Sequence, residues 1–120
     1  MNILLKVIIG IVAAEHVYFL WLEMFAWTTR AKTVFKNFPE HLFEPTKALA
    51  ANQGLYNGFL AAGLIWSLCI EDKQWAQNTS VFFLVCVLIA AIYGGFTADK
   101  KIFLVQGLLP AVALLLISIK

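Results

Sequence analysis

The sequence predicts an all-α fold, a transmembrane up-down four-helix bundle forming one domain over residues 1–120. Three observations carry this expectation. Charged residues make up only 13% of the 120 residues while hydrophobic ones make up 62%. Uncharged stretches recur at the length of a bilayer. The links between them are short enough to force neighbouring helices antiparallel. A soluble domain carries roughly 25% charge, and a small one needs more polar cover than a large one. Nine basic and seven acidic residues cannot supply it.

The first span covers about residues 5–29 and is the only one with internal charge, at Lys6 near its start and deeper at Glu15 and Glu23, with His16 between the two glutamates. Its apolar character resumes after Ala13 and Ala14, at Val17–Leu22, which argues against a cleaved signal peptide. The second span, 48–70, is uncharged over 23 residues; the third, 79–98, over 20; the fourth, 102–119, over 18. At 1.5 Å per residue each matches a hydrocarbon core of roughly 30 Å.

The first link, Arg30–Thr46, interleaves Val34, Phe35, Phe38, Leu42 and Phe43 with Lys32, Lys36, Glu40 and Glu44. It reads as a segment lying along the membrane surface, interrupted by Pro39 and ended by Pro45. The second and third links, 71–78 and 99–101, are shorter. Six basic residues fall on the side of links one and three (Arg30, Lys32, Lys36, Lys47, Lys100, Lys101) and three opposite (Lys6, Lys73, Lys120). The positive-inside rule therefore puts links one and three in the cytoplasm of a multi-pass cell-membrane protein. Trp27, Trp66 and Trp75 stand near span ends as interface anchors, and Trp21, deeper, reads as a packing residue.

Several function classes are excluded. A net charge of +2 without a basic run does not suit nucleic acid. Cys69 and Cys86 sit in apolar stretches with no metal or disulfide spacing, and read as small packing residues. Glu15–His16 with Glu23 seven residues after His16 is no metal signature.

The candidate site rests on polar groups at membrane depth, where a charge costs roughly 2.5–3.5 kcal/mol on insertion scales. His16 and Glu23 share a helical face, and Glu15 lies about 100° away. Asn52, Gln53, Tyr56 and Asn57 form a polar arc on the second span. Ala50, Gly54, Gly58 and Ala62 form a ladder of small residues opposite, suited to close helix approach or to pairing with a second copy. Tyr93, and Gln106 with a kink at Pro110, lie at a matching depth, beside Gly94 and Gly95. Together Glu15, His16, Glu23, Asn52, Gln53, Tyr56, Asn57, Tyr93 and Gln106 define an expected polar cavity in the cytoplasmic half, with Glu15 and His16 at its deep end. No cofactor is indicated.

Glu15-His16-Val17-Tyr18-Phe19, Leu22-Glu23-Met24-Phe25 and the string Asn52-Gln53-Gly54-Leu55-Tyr56-Asn57-Gly58-Phe59-Leu60-Ala61-Ala62-Gly63 resemble the domain-of-unknown-function 1304 family. Tyr93-Gly94-Gly95, Gln106-Gly107 and Pro110-Ala111 are similar to its later motifs. The resemblance spans nearly the whole chain. It implies a small bacterial integral membrane protein with four spans, whose motif positions are the polar residues above; it brings no activity. A looser similarity of size and layout to DoxX-like proteins, some linked to quinone oxidation, is fold-level analogy.

The function expected first is binding or transport of a small, partly apolar molecule, with the bilayer as surroundings. A membrane-embedded enzyme on a lipid or quinone is the alternative, with His16 and a glutamate as acid and base. A non-catalytic subunit of a membrane complex is another.

Overall fold

A computed structural model describes residues 1–119; Lys120, used above to weigh orientation, lies outside the described residues. The described chain is all-helical. Its elements are α1 (Ile3–Phe25), α2 (Arg30–Val34), a 3-10 turn (Glu40–Leu42), α3 (Lys47–Cys69), α4 (Lys73–Thr97), α5 (Lys101–Val105) and α6 (Leu108–Ser118).

Local chemistry starts the long helices where they start. The Asn2 side chain accepts the Leu5 N–H at 2.8 Å and Asp72 accepts the Trp75 N–H at 2.9 Å, each answering an orphan donor of a first turn. The end of α1 is different. Nothing in Ala26–Thr29 breaks a helix, yet the helix stops at Phe25, four residues short of the expected boundary. Tertiary packing explains this. Trp27 turns out of the helix axis into a nest of Phe35, Phe38 and Phe43, with ring centroids 5.7, 5.6 and 5.0 Å away. Its indole N–H donates to Thr46 Oγ1 at 3.0 Å.

The first link is therefore packed onto the helices. Its aromatic side chains fold back against the helices, burying Ala31 and Phe43 completely with Leu22. A single ion pair, Lys32–Glu40 at 2.8 Å, staples its exposed edge.

α1 packs along α3, α3 against α4, α4 against α6, and α6 back against α1, while α5 lies on α4. A second, aliphatic core joins Leu5, Ile9 and Val12 of α1 to Leu64, Leu84, Val87 and Ala113. The glycine ladder is used inside the chain. A Cβ on Gly54 would stand 2.8 Å from Met24 Cγ and 3.0 Å from Glu23 Cβ, and one on Gly58 would stand 2.6 Å from Leu20 Cδ1. α1 of the same chain packs against both glycines.

α1 and α4 are long and apolar enough to cross a membrane, by length and composition. The expected second span coincides with α3, whose Asn52, Gln53 and Asn57 dilute its hydropathy. The expected fourth span is two helices, α5 and α6, parted at Gln106–Gly107. Pro110 does not kink a continuous helix. It occupies the first turn of α6, where its missing N–H leaves no helical bond unmade. Gly94 and Gly95, expected to thin α4 beside a cavity, receive Ile102 and Phe103 of α5, and Gly94 also lines the cavity described below. Trp21 is 44% exposed beside Tyr18 and is not a packing residue. Cys69 is exposed at the end of α3 and Cys86 half-buried, both as free thiols.

Candidate functional site

Glu23 lies two residues before the end of α1 and is only 7% exposed. Its position relative to α3 matters more than its position in α1. The Asn57 side-chain amide donates to Glu23 Oε1 at 2.5 Å. Asn57 lies ten residues after the first residue of α3, about 15 Å along that helix. The pair is thus level with the middle of α3, and the first turns of α3 run on past the end of α1. The folded first link occupies the space alongside them.

Beside this pair a cavity of about 730 Å³ opens between α1, the first link, α3, α4 and α5. From α1 it takes Phe19 and Glu23, one turn apart on a single face, and from the turn just past the helix end it takes Trp27. Gln53 and Asn57 line it from α3, Tyr93 and Thr97 from α4, and Gln106 from the α5–α6 break. Phe35, Lys36, Asn37 and Phe38 close it on the side of the first link, and Asp99 and Lys101 on the side of the α4–α5 turn. One hydrogen bond ties those two walls, from Asn37 Nδ2 to Asp99 Oδ2 at 2.9 Å. The Asp99 carboxyl also accepts the Lys101 N–H at 2.9 Å. That backbone donor, with Asn37 and the Lys101 charge adding to it, holds Asp99 below its ordinary value.

Of the nine residues expected to share a cavity, Glu23, Gln53, Asn57, Tyr93 and Gln106 line this one. Four do not, and each has a physical reason. His16 shares the face of Glu23, but Phe19 stands between them and meets the His16 ring edge-on at 5.4 Å. His16 is 1% exposed, and its Nδ1 donates to the Val12 carbonyl at 2.9 Å, so it is a core histidine one turn behind the cavity wall. Glu15 is half-buried on a neighbouring face of α1, outside the cavity. Asn52 turns its amide back to the Ala48 carbonyl at 2.9 Å. Tyr56 is 64% exposed against Phe59. The expected arc on α3 is therefore split: Gln53 and Asn57 at one edge line the cavity, and Asn52 and Tyr56 at the other edge do not.

Sequence reasoning missed the aromatic part of the wall. Part of the signal was present: Phe19 and Glu23 are spaced four apart, which on a helix stacks them on one face, whereas Trp27 reaches the wall through the turn that follows Phe25. The first-link contributors carry no such signal, since their placement depends on how the link folds.

A helical chain with two membrane-length apolar helices and a half-polar, half-aromatic cavity beside a buried carboxyl defines a class of candidate small-molecule sites. The chain belongs to the family described as "Protein of unknown function (DUF1304)", whose family model matches residues 10–118. It is 34% identical over 117 residues, 96% of its own length and 97% of the relative's, to "Uncharacterized protein YpaA" of Lactococcus lactis subsp. lactis (strain IL1403). No solved structure matches it.

Proposed function

We propose that the protein is a four-span, up-down helical bundle of the bacterial cell membrane that binds or transports a small, partly apolar molecule through the Glu23–Asn57 cavity. The membrane reading is supported by what the helices present outward. Val7, Trp21 and Phe25 of α1, Phe59 and Trp66 of α3, Phe82, Ile89 and Phe96 of α4, and Leu108 and Leu115 of α6 are all exposed. Apolar surface on every outward helix face suits lipid and not water. In this reading α1, α3, α4 and the α5–α6 pair are the spans. The excess of basic residues at the first link and the α4–α5 turn puts those segments in the cytoplasm. Cys69, at the other end of α3, is then labelled by a membrane-impermeant maleimide added to intact cells stripped of outer layers. Labelling only after lysis reverses the orientation.

The single observation that carries the binding reading is the cavity itself. A buried, amide-bonded carboxyl faces about 730 Å³ of space lined on one side by rings and on the other by amides. Binding sites for small molecules have this composition and fall in this size range. Purified protein in detergent, screened by thermal shift against amphipathic amines, quinones and short-chain lipids, is expected to show saturable stabilisation by one class. Ala90→Trp, which places a large ring at the cavity wall, is expected to abolish that stabilisation without unfolding the protein. Equal responses of wild type and Ala90→Trp to every compound refute the reading.

A further inference from the structure

Glu23 lacks a counter-charge. Among the described residues the only ion pair is the exposed Lys32–Glu40, which does not involve this carboxyl. Asn57 occupies one Glu23 oxygen, and no other hydrogen bond reaches the side chain. Yet no fully enclosed side-chain oxygen or nitrogen among the described residues lacks a partner, so the second oxygen keeps surface open to the cavity. An acid group in that position attracts a cation, and burial with no partner is the costly alternative.

The walls beside it suit a particular kind of cation. Phe19 lies one helical turn before Glu23 and Trp27 lies in the turn just past the end of α1, both lining the same cavity. Phe35, Phe38 and Tyr93 add rings from other elements. Aromatic faces attract a positively charged centre through their quadrupole, most strongly where water is excluded. The uncharged polar contributors, Asn37, Gln53, Asn57 and Gln106 with Thr97, are neutral amides and a hydroxyl. Lys36 and Lys101 also line the cavity, but on exposed segments where water and salt screen them. Asp99 stands beside Lys101 and offsets it. A small metal ion or a bare amino group would use the carboxyl and leave the rings idle. A neutral molecule would use the rings and give the carboxylate no counter-charge.

We propose that the molecule held in this cavity is a lipophilic organic cation, whose charged centre rests against Glu23 between the rings of Phe19 and Trp27. This deepens the binding reading above and rests on it. The test uses full-length protein in detergent and two probes of similar shape, the cation tetraphenylphosphonium and the neutral triphenylphosphine oxide. Affinities are measured by isothermal titration calorimetry. Wild type is expected to prefer the cation. Glu23→Gln keeps the acceptor for Asn57 but removes the charge, and is expected to weaken the cation by about thirtyfold or more while leaving the neutral probe near its wild-type affinity. Phe19→Leu is expected to weaken the cation by roughly twofold to thirtyfold, and the neutral probe less.

Equal binding of both probes to wild type overturns the cation assignment. So does a Glu23→Gln protein that binds the cation as wild type does. If the neutral probe still binds in either case and Ala90→Trp removes it, the cavity reading survives alone. If neither probe binds wild type, both fall together. Should Glu23→Gln not yield a monodisperse protein, the wild-type preference and the Phe19→Leu series decide.

Discussion

Two identical substitutions in one protein are expected to change stability with opposite signs. Gly10 and Gly54 both lie inside long helices, α1 and α3. Replacing either with alanine removes the same backbone freedom from the unfolded chain, a gain of about 0.5–1 kcal/mol. A Cβ at Gly10 meets nothing within 4 Å. A Cβ at Gly54 meets Met24 Cγ at 2.8 Å, Glu23 Cβ at 3.0 Å and the Leu20 carbonyl oxygen at 3.2 Å. Two of those three atoms belong to the α1 backbone or stand directly on it, so the helix itself must move, and overpacking of this kind costs about 1–3 kcal/mol. Gly10→Ala should therefore stabilise by about 0.5–1 kcal/mol. Gly54→Ala should end between roughly neutral and about 2.5 kcal/mol less stable. The difference between the two variants isolates the packing cost, since the entropy gain cancels. Reversible unfolding in mixed micelles, followed by far-UV circular dichroism against denaturant fraction, reads that difference. A Gly54→Ala protein as stable as Gly10→Ala would show that α1 does not approach α3 closely at this level. The placement of Glu23 beside Asn57 would then lose its basis.

The Glu23–Asn57 bond predicts a double-mutant cycle. Asn57→Leu leaves a buried carboxyl oxygen without its donor and should cost about 1–3 kcal/mol, whereas adding Glu23→Met to it should recover most of the loss. Additive losses in the same unfolding assay would sink the pairing. Trp27→Phe keeps the ring in its aromatic nest but loses the bond to Thr46, and should cost about 0.5–1.5 kcal/mol; a loss several times larger means that the indole does more than this. Asp99 gives a pH dependence. Its carboxyl is held below its ordinary value in the folded chain, so the tie to Asn37 is present above the ordinary aspartate range and is lost as pH falls through the depressed folded value. Protease cleavage after Lys36, by an enzyme active in acid, should therefore stay slow at mildly acidic pH and quicken only below that range. In Asp99→Ala it should be fast throughout, and a pH profile identical in the two proteins would count against the tie.

How far the sequence could be read depended on the kind of feature. Helix starts at Asn2 and Asp72 are local, because a side chain caps the next turn of its own chain. The end of α1 is not local: Ala26-Trp27-Thr28-Thr29 could continue a helix, and it is the docking of Trp27 among Phe35, Phe38 and Phe43 that turns the chain. The α5–α6 break has a similar origin. Pro110 marks the neighbourhood, but the break falls at Gly107, whose Cβ would stand 3.3 Å from Ala91 on α4 and 2.4 Å from the Phe103 carbonyl oxygen. For the candidate site, helical phase correctly aligns His16 with Glu23 and says nothing about Phe19 filling the gap between them.

By itself, then, the sequence determined the all-helical character, the apolar surface and the short list of polar residues worth examining. Composition and periodicity are properties of one helix at a time, and they are written in consecutive residues. Only the tertiary structure decided which of those polar groups meet. Contact between Glu23 and Asn57 depends on the register of α1 against α3, set by where Gly54 and Gly58 let the two backbones close. Register is a relation between residues 34 apart in the chain, and no local pattern encodes it.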